Sequence, residues 1–548
     1  MTNNPKKNAA YKNKDDEMRF TVSGMPIKPV YTSEDAKNES PKPGEYPFTR
    51  GLYPTMYRTT PWATLEVSGF GLPEETNARQ KYLIAQGQLH YFGHPGIHLC
   101  FDLATQYGYD SDHPLAQYDV GKCGTIIDSL ADMERVLDGL PVADMHISMI
   151  NNPTGPILTA MLAAYAEKQG IPWSKISGSI NNCSIVGPIS DNMITLPLRP
   201  TLRLMMDVVK FSTNEMPNLH PITFHMYSCR ERGATAIQEL AYGMAAGVCV
   251  VKEGIKMGLP VDSFAPNLVF FFSLNNNFFE EIAKLRAARK IWARIMKEKF
   301  GAKNPQSWKC QLLSQTAGST LTSQEPLNNV ARVAIQALAG VLGGVQAMHT
   351  CSYDEALDIP TDEAVRVAVK TQRIIEYETG VTDVADPLGG SYFVEALTDQ
   401  IEKTANDLLK NIEDMGGYIT ALEKGYLQSE IDKSARKLQH EIDSGERIVV
   451  GLNKFVLKEQ EPIETFDYNP EVRKTTLERL HKLKEERDNQ RVKDSLAKLK
   501  KAVLDDGYLM PVIIEAVKEY TTLGEIMNVF REVYGEYREE SFLKASTC

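Results

Sequence analysis

From about residue 90 onward, the apolar positions fall into two alternating patterns. Short β-rich runs occupy residues 96–103 (GIHLCFDL), 145–150 (MHISMI), 177–182 (SGSINN), 222–228 (ITFHMYS), 268–274 (LVFFFSL), 309–315 (KCQLLSQ) and 345–352 (VQAMHTCS), with a weaker eighth at 381–386. Between them the apolar residues recur with helical period over 126–140, 156–169, 201–212, 233–257, 278–300, 328–342 and 361–378. Strands that alternate with helices pair in parallel and give an α/β fold. Eight such units predict a closed (β/α)8 TIM barrel. An open dinucleotide-binding sheet is the weaker reading, because no GxGxxG follows any of the runs.

The flanks read differently. Residues 1–45 are polar and rich in Lys, Asn and Pro, and predict an N-terminal arm. The barrel then spans 46–395, and a helical segment covering it spans 396–456. Residues 457–548 form a linker followed by a C-terminal helical extension: a charged stretch at 470–502, then a more apolar one at 510–534 that needs a surface to pack on.

Charge narrows the function classes. With 60 Lys and Arg against 71 Asp and Glu, the net charge is -11, which argues against nucleic acid as a partner. The apolar run 268–274 is too short to cross a bilayer, and the start of the chain lacks the apolar core of a secretory signal, so no membrane role is expected. The eight cysteines contain no CxxC pair, which fits reduced thiols in a cytoplasmic protein. His90, His94 and His98 are four apart, but Gly93, Pro95 and Gly96 interrupt any helix that would align them, so no metal site is expected.

In a barrel the reacting groups sit where strands end. Those ends carry Phe101-Asp102, Asn151-Asn152, Asn181-Asn182, Tyr227-Ser228, Ser273, Gln315, and Ser352 with Glu355. Amides and hydroxyls dominate. An activated nucleophile, a Schiff-base lysine and a metal triad are all missing. Such a mouth suits a large polar cofactor or a radical intermediate better than hydrolysis.

Six motifs, in order, resemble the large subunit of the methylmalonyl-CoA mutase family. They are residues 50–70 (RGLYPTMYRTTPWATLEVSGF), 101–112 (FDLATQYGYDSD), 284–289 (KLRAAR), 314–318 (SQTAG), 349–356 (HTCSYDEA) and 385–392 (ADPLGGSY), and the tail at 469–537 is also similar. The resemblance implies an isomerase, an intramolecular transferase dependent on adenosylcobalamin. A barrel would hold an acyl-CoA along its axis under a cobalamin-binding domain, and a radical 1,2-rearrangement would move a carbonyl-CoA group to the neighbouring carbon. It implies a cofactor face formed by Phe101, Glu231, Gln315, Gly318 and Glu355, with Phe101 against the corrin and Glu355 on the ribose. The substrate-facing set would be Tyr227, Ser228, Asn181, Asp191 and Val67.

Departures from the family pattern cluster around the substrate. Ser228 stands where the family has the His that holds the thioester carbonyl. Val67 and Asp191 stand where methylmalonyl-CoA mutase has a Tyr and an Arg to hold the free carboxylate. An ionised Asp191 would repel that carboxylate, so methylmalonyl-CoA is not the expected substrate. Thr60, Asn267 and Gln306 replace three cations of the CoA-tail contacts, with Arg58 as a possible substitute, and residues 89–94 form an extra loop. The sequence Asp144-Met145-His146 starts a cobalamin-ligand motif, but Met149 occupies its Gly position, so this run reads as core. The cobalamin is therefore expected on a separate small subunit, in a hetero-oligomer. Two alternatives stand beside this reading: a non-catalytic structural subunit, and a mutase acting on an acid not joined to CoA.

Overall fold

A computed structural model describes residues 19–28, 30–36, 41–88, 95–459 and 463–539. His90, His94 and the loop at 89–94 lie outside them, as does most of the arm. Eight parallel strands carry the fold: β1 (Ala63–Thr64), β2 (Gly96–Cys100), β3 (His146–Ile150), β4 (Ser177–Ile180), β5 (Ile222–His225), β6 (Leu268–Leu274), β7 (Gln311–Thr316) and β8 (Ala347–His349). Each is followed by a helix: α1 (Pro73–Ala85), α2 (Leu130–Val136), α3 (Gly155–Lys168), α4 (Leu198–Glu215), α5 (Ala236–Lys256), α6 (Phe278–Arg294), α7 (Asn328–Gly343) and α8 (Asp362–Glu378).

Strands β5, β6, β7, β8 and β1 pair in that order, and β2, β3 and β4 form a second set, which the short strand Leu219–His220 extends just before β5. The Ser68 N–H donates to the His98 carbonyl (3.0 Å) and the Cys100 N–H to the Ser68 carbonyl (3.3 Å), joining β1 to β2. The Thr223 N–H donates to the Asn181 carbonyl (3.0 Å), joining β4 to β5. The order therefore runs round the eight strands of a TIM-barrel fold.

Seven of the eight expected strands are present; the eighth is not where the pattern placed it. Residues 381–386 make turns around Gly380 (φ +71°) and Asp386 (φ +49°). The missing strand is β1, inside the first motif, where the Ala63 and Leu65 N–H groups donate to the carbonyls of Gln346 and Met348. Two residues of strand are too few to show a period of two. The run at 222–228 also stops early: strand ends at His225 and one helical turn, Tyr227–Glu231, follows.

The strands are buried on both sides, which accounts for the nearly continuous apolar run of β6, broken only by Ser273. Helix starts follow local chemistry. At α5, Thr235 Oγ accepts from the Gln238 N–H (3.2 Å), and Gln238 Oε1 accepts from the Thr235 N–H (2.8 Å).

Beyond the barrel come α9 (Tyr392–Asp414), α10 (Tyr418–Glu423), α11 (Tyr426–Asp443), α12 (Val472–Glu486), α13 (Asn489–Leu504), α14 (Met510–Lys518) and α15 (Leu523–Tyr534). The last two bury their apolar faces in the same core as β2, β3 and α3. Asp110 fixes them, accepting from Thr522 Oγ and the Gly524 N–H, both at 2.7 Å. Among the described residues no helix is long and apolar enough to cross a membrane.

Candidate active site

Alternation along the strands decides what faces the barrel axis. Ser177, Ser179, Thr223, Val269, Leu313 and Ala347 line a cavity of 560 Å³ at the strand starts, together with His98, His146 and His220. Two residues further along several of these strands, Cys100, Ile150, His225, Phe271, Gln315 and His349 line a second cavity of 430 Å³ at the strand ends. Barrel interiors are usually filled by layers of bulky branched side chains. Here serine, threonine and alanine leave the axis hollow. His146, expected as core, is buried but faces the lower cavity, within reach of Ser177 (3.2 Å) and Ser179 (3.4 Å).

Four of the expected cofactor-face and substrate residues converge beside the upper cavity. The Gly318 N–H donates to Tyr227 Oη (3.2 Å), and Ser319 donates to Glu231 through its N–H (2.5 Å) and its hydroxyl (3.1 Å). A Cβ added at Gly318 would stand 3.2 Å from Tyr227 Oη, 3.4 Å from Glu231 Oε2 and 3.6 Å from Glu355 Oε1. A side chain there would press on Tyr227 Oη and fill the space between the two carboxyls. Burial raises the Glu231 carboxyl to about 7 against the pull of the Ser319 hydrogen bonds. Burial raises Glu355 as well, opposed by His349. Neither carboxylate forms an ion pair among the described residues.

Gln315 and Val67 also line the upper cavity, and Gln315 Nε2 reaches Cys351 Sγ at 3.6 Å. Below them lies a buried pair, Glu66 and His349, with 3.1 Å between carboxylate and Nδ1. Burial by itself favours neutral imidazole, but Glu66 raises His349 well above its ordinary value. The one Arg or Lys on the cavity wall among the described residues is Arg79. Its guanidinium is engaged by Asp362 (2.9 Å) and lies over the Phe70 ring (4.9 Å). Tyr468, in the stretch expected as linker, lines the cavity, and Phe466 beside it packs edge-on against the wall residue Phe70 at 4.9 Å.

The other expected residues are placed as follows. Phe101 is fully buried in the layer between the strands and the helices. Asn181 follows β4 and is 4% exposed, and among the described residues its Nδ2 has no hydrogen-bond partner; the same holds for Asn151 Nδ2. Asp191 accepts from Ser190 Oγ (3.0 Å) and the Met193 N–H (3.1 Å), and its charge is felt by His225. Ser228 lies 3.1 Å from His225 Nδ1.

Sequence reasoning did not single out Glu66 or His225. The signal for His225 was its place in the strand 222–225, two residues beyond Thr223, on the parity that faces the axis.

A family model described as methylmalonyl-CoA mutase matches residues 20–536. The large subunit of 2-hydroxyisobutanoyl-CoA mutase from Aquincola tertiaricarbonis is 40% identical over 529 residues, covering 95% of this chain and 93% of its own length. Mitochondrial methylmalonyl-CoA mutase from Homo sapiens is 38% identical over 537 residues, 97% of this chain and 71% of its own length. Methylmalonyl-CoA mutase from Rhizobium meliloti is 39% identical over 523 residues, 94% of this chain and 72% of its own length.

Proposed function

The chain belongs to the methylmalonyl-CoA mutase family, and on that premise we propose that it is the substrate-binding large subunit of an adenosylcobalamin-dependent, two-subunit carbon-skeleton mutase whose acyl-CoA substrate carries no free carboxylate. The observation that carries this reading is the upper cavity. Its walls offer the Gln315 amide, serine and tyrosine hydroxyls, the carboxyls of Glu66, Glu355 and Asp358, and a neutral imidazole at His225. The one guanidinium there is already paired, and the His349 charge is offset by Glu66. A substrate carboxylate would lose hydration without gaining an unpaired cation, which is costly in a buried site. Val67 favours an alkyl group, and the hydroxylated acyl group of the Aquincola relative is the natural first member of a substrate panel.

The residues present fit the family's cofactor. Tyr227, Glu231 and Glu355 meet around Gly318, where a side chain would crowd them. Carboxylates accept hydrogen bonds, as ribose hydroxyls require. Bound there, adenosylcobalamin would supply the radical chemistry that none of these side chains can provide. The protein's own part is to orient the acyl group and exclude water, with Tyr468 on the cavity wall and Phe466 beside it.

Cytoplasmic location and a small cobalamin-binding subunit complete the reading. It is tested by assaying the full chain, with and without such a subunit and adenosylcobalamin, against methylmalonyl-CoA, 2-hydroxyisobutanoyl-CoA, isobutanoyl-CoA and the free acids. Turnover of a carboxylate-free acyl-CoA that requires the small subunit is expected. Tight binding of adenosylcobalamin by the chain alone would overturn the two-subunit reading. Efficient conversion of methylmalonyl-CoA would overturn the substrate reading.

A further inference from the structure

We propose that His225, oriented by Ser228 and assisted by Asn181, donates the hydrogen bond that holds the substrate's acyl carbonyl. The inference deepens the acyl-CoA reading above and rests on it. His225 lines the upper cavity at the end of β5, and its ring is held at 4.8 Å from Phe271 and 6.1 Å from Tyr227. Nδ1 is engaged by Ser228 Oγ at 3.1 Å. Nε2 makes no hydrogen bond to the described residues. Burial favours the neutral ring, against a weaker pull from Asp191.

Ser228 Oγ can donate to Nδ1 or accept from it, and the tautomer proposed is the one in which it donates. With Ser228 donating to Nδ1, the single ring proton sits on Nε2, on the side of the ring away from Ser228. On the neighbouring strand, Asn181 lies on the inward parity of Ser177 and Ser179, and its carbonyl accepts from the Thr223 N–H. Its Nδ2 is buried with no hydrogen-bond partner among the described residues. Leaving such a donor unpaired is unfavourable unless a ligand completes it. A carbonyl oxygen has two lone pairs: His225 on the cavity wall would serve one, and Asn181, buried at the adjacent strand end, would serve the other. The family's imidazole at position 228 is thus exchanged for one that comes from the strand, three residues earlier, with the serine left in place to steer it. Ser228 is a positioning residue; His225 touches the substrate.

The test compares two ligands that differ only at that oxygen: isobutanoyl-CoA, and S-isobutyl-CoA, in which a methylene replaces the carbonyl. Affinities for the full chain are measured by calorimetry. The unmodified protein should bind the thioester about tenfold more tightly than the thioether. His225→Leu should abolish that preference while still binding the thioether, which reports an intact site. His225→Gln, whose amide can still donate, should keep part of it, and Ser228→Ala should reduce it without changing thioether affinity. If His225→Leu misfolds, the Gln and Ser228→Ala variants decide. An undiminished preference in the His225 variants, or no preference in the unmodified protein, would overturn the inference. If the unmodified protein binds neither ligand, the acyl-CoA reading itself falls and takes the inference with it.

Discussion

Two buried polar regions lie on opposite sides of the barrel wall, and they close their interactions differently. On α6, outside the strands, Lys284 meets Glu239 (2.6 Å), Glu281 (2.5 Å) and the Ser273 carbonyl (2.6 Å). Arg286 meets Asp386 and Glu395, each at 2.5 Å. Arg289 donates to the carbonyls of Phe48, Gly343 and Thr49 at 2.6–2.9 Å. Each charge there ends on a partner. Inside the strands the cavity side is less complete: among the described residues Asn151 Nδ2 and Asn181 Nδ2 have no hydrogen-bond partner, Glu355 forms no ion pair, and Glu231 is held by Ser319 alone. Two of the family's motifs, KLRAAR and ADPLGGSY, therefore wire the scaffold together. SQTAG and HTCSYDEA instead serve a space that protein alone does not fill.

The contrast can be broken most forcefully at Lys284. Lys284→Ala leaves Glu239 and Glu281 buried without their cation, and should cost about 3–5 kcal/mol in a urea titration. A loss below about 1 kcal/mol would show that the α6 network is not the stabilising region argued here.

Glu355→Ala and Gln315→Ala should behave in the opposite sense, with near-native urea midpoints but cofactor affinity or turnover lowered about tenfold, the scale of one lost hydrogen bond to a polar ligand. If both variants bind and turn over normally in the reconstituted enzyme, the two residues return to ordinary internal hydrogen bonding.

A gentler change sharpens the cavity side. Asp191→Arg with Val67→Tyr restores a cation and a phenol at the positions named from the sequence. It should move the reconstituted enzyme towards methylmalonyl-CoA, measured as succinyl-CoA formed relative to the preferred substrate. No gain in that ratio would place the specificity elsewhere on the wall.

A last test of the cavity side concerns pH. The Glu231 carboxyl is raised from 4.5 to about 7 in the folded protein. Between those values the folded state holds a proton that the unfolded state has released. Its contribution to stability therefore falls as pH rises from about 4.5 to about 7 and is flat beyond. Glu231→Gln should flatten that part of the stability–pH curve, followed by thermal unfolding at several pH values. An unchanged slope would remove Glu231 from the account.

The sequence by itself determined the α/β class, seven strand positions, seven barrel helices and the family, because each rests on local periodicity or on motifs contiguous in the chain. It also placed Tyr227 and Glu355 at strand ends, and the family's motifs added Glu231 and Gly318; the structure brings the four together around that glycine. Only the tertiary structure could locate β1. Ala63–Thr64 is strand because β8 presents its edge there, and two residues carry no pattern of their own. The same holds for the turns at 381–386, where Asp386 is held by Arg50 and Arg286, 336 and 100 residues away along the chain. The role of His225 was hidden for a related reason. In the sequence it is one apolar-strand histidine among several. What distinguishes it is that Ser228 occupies one ring nitrogen while the other has no partner among the described residues. A missing partner is a property of the space around an atom, and sequence patterns record only the order along the chain.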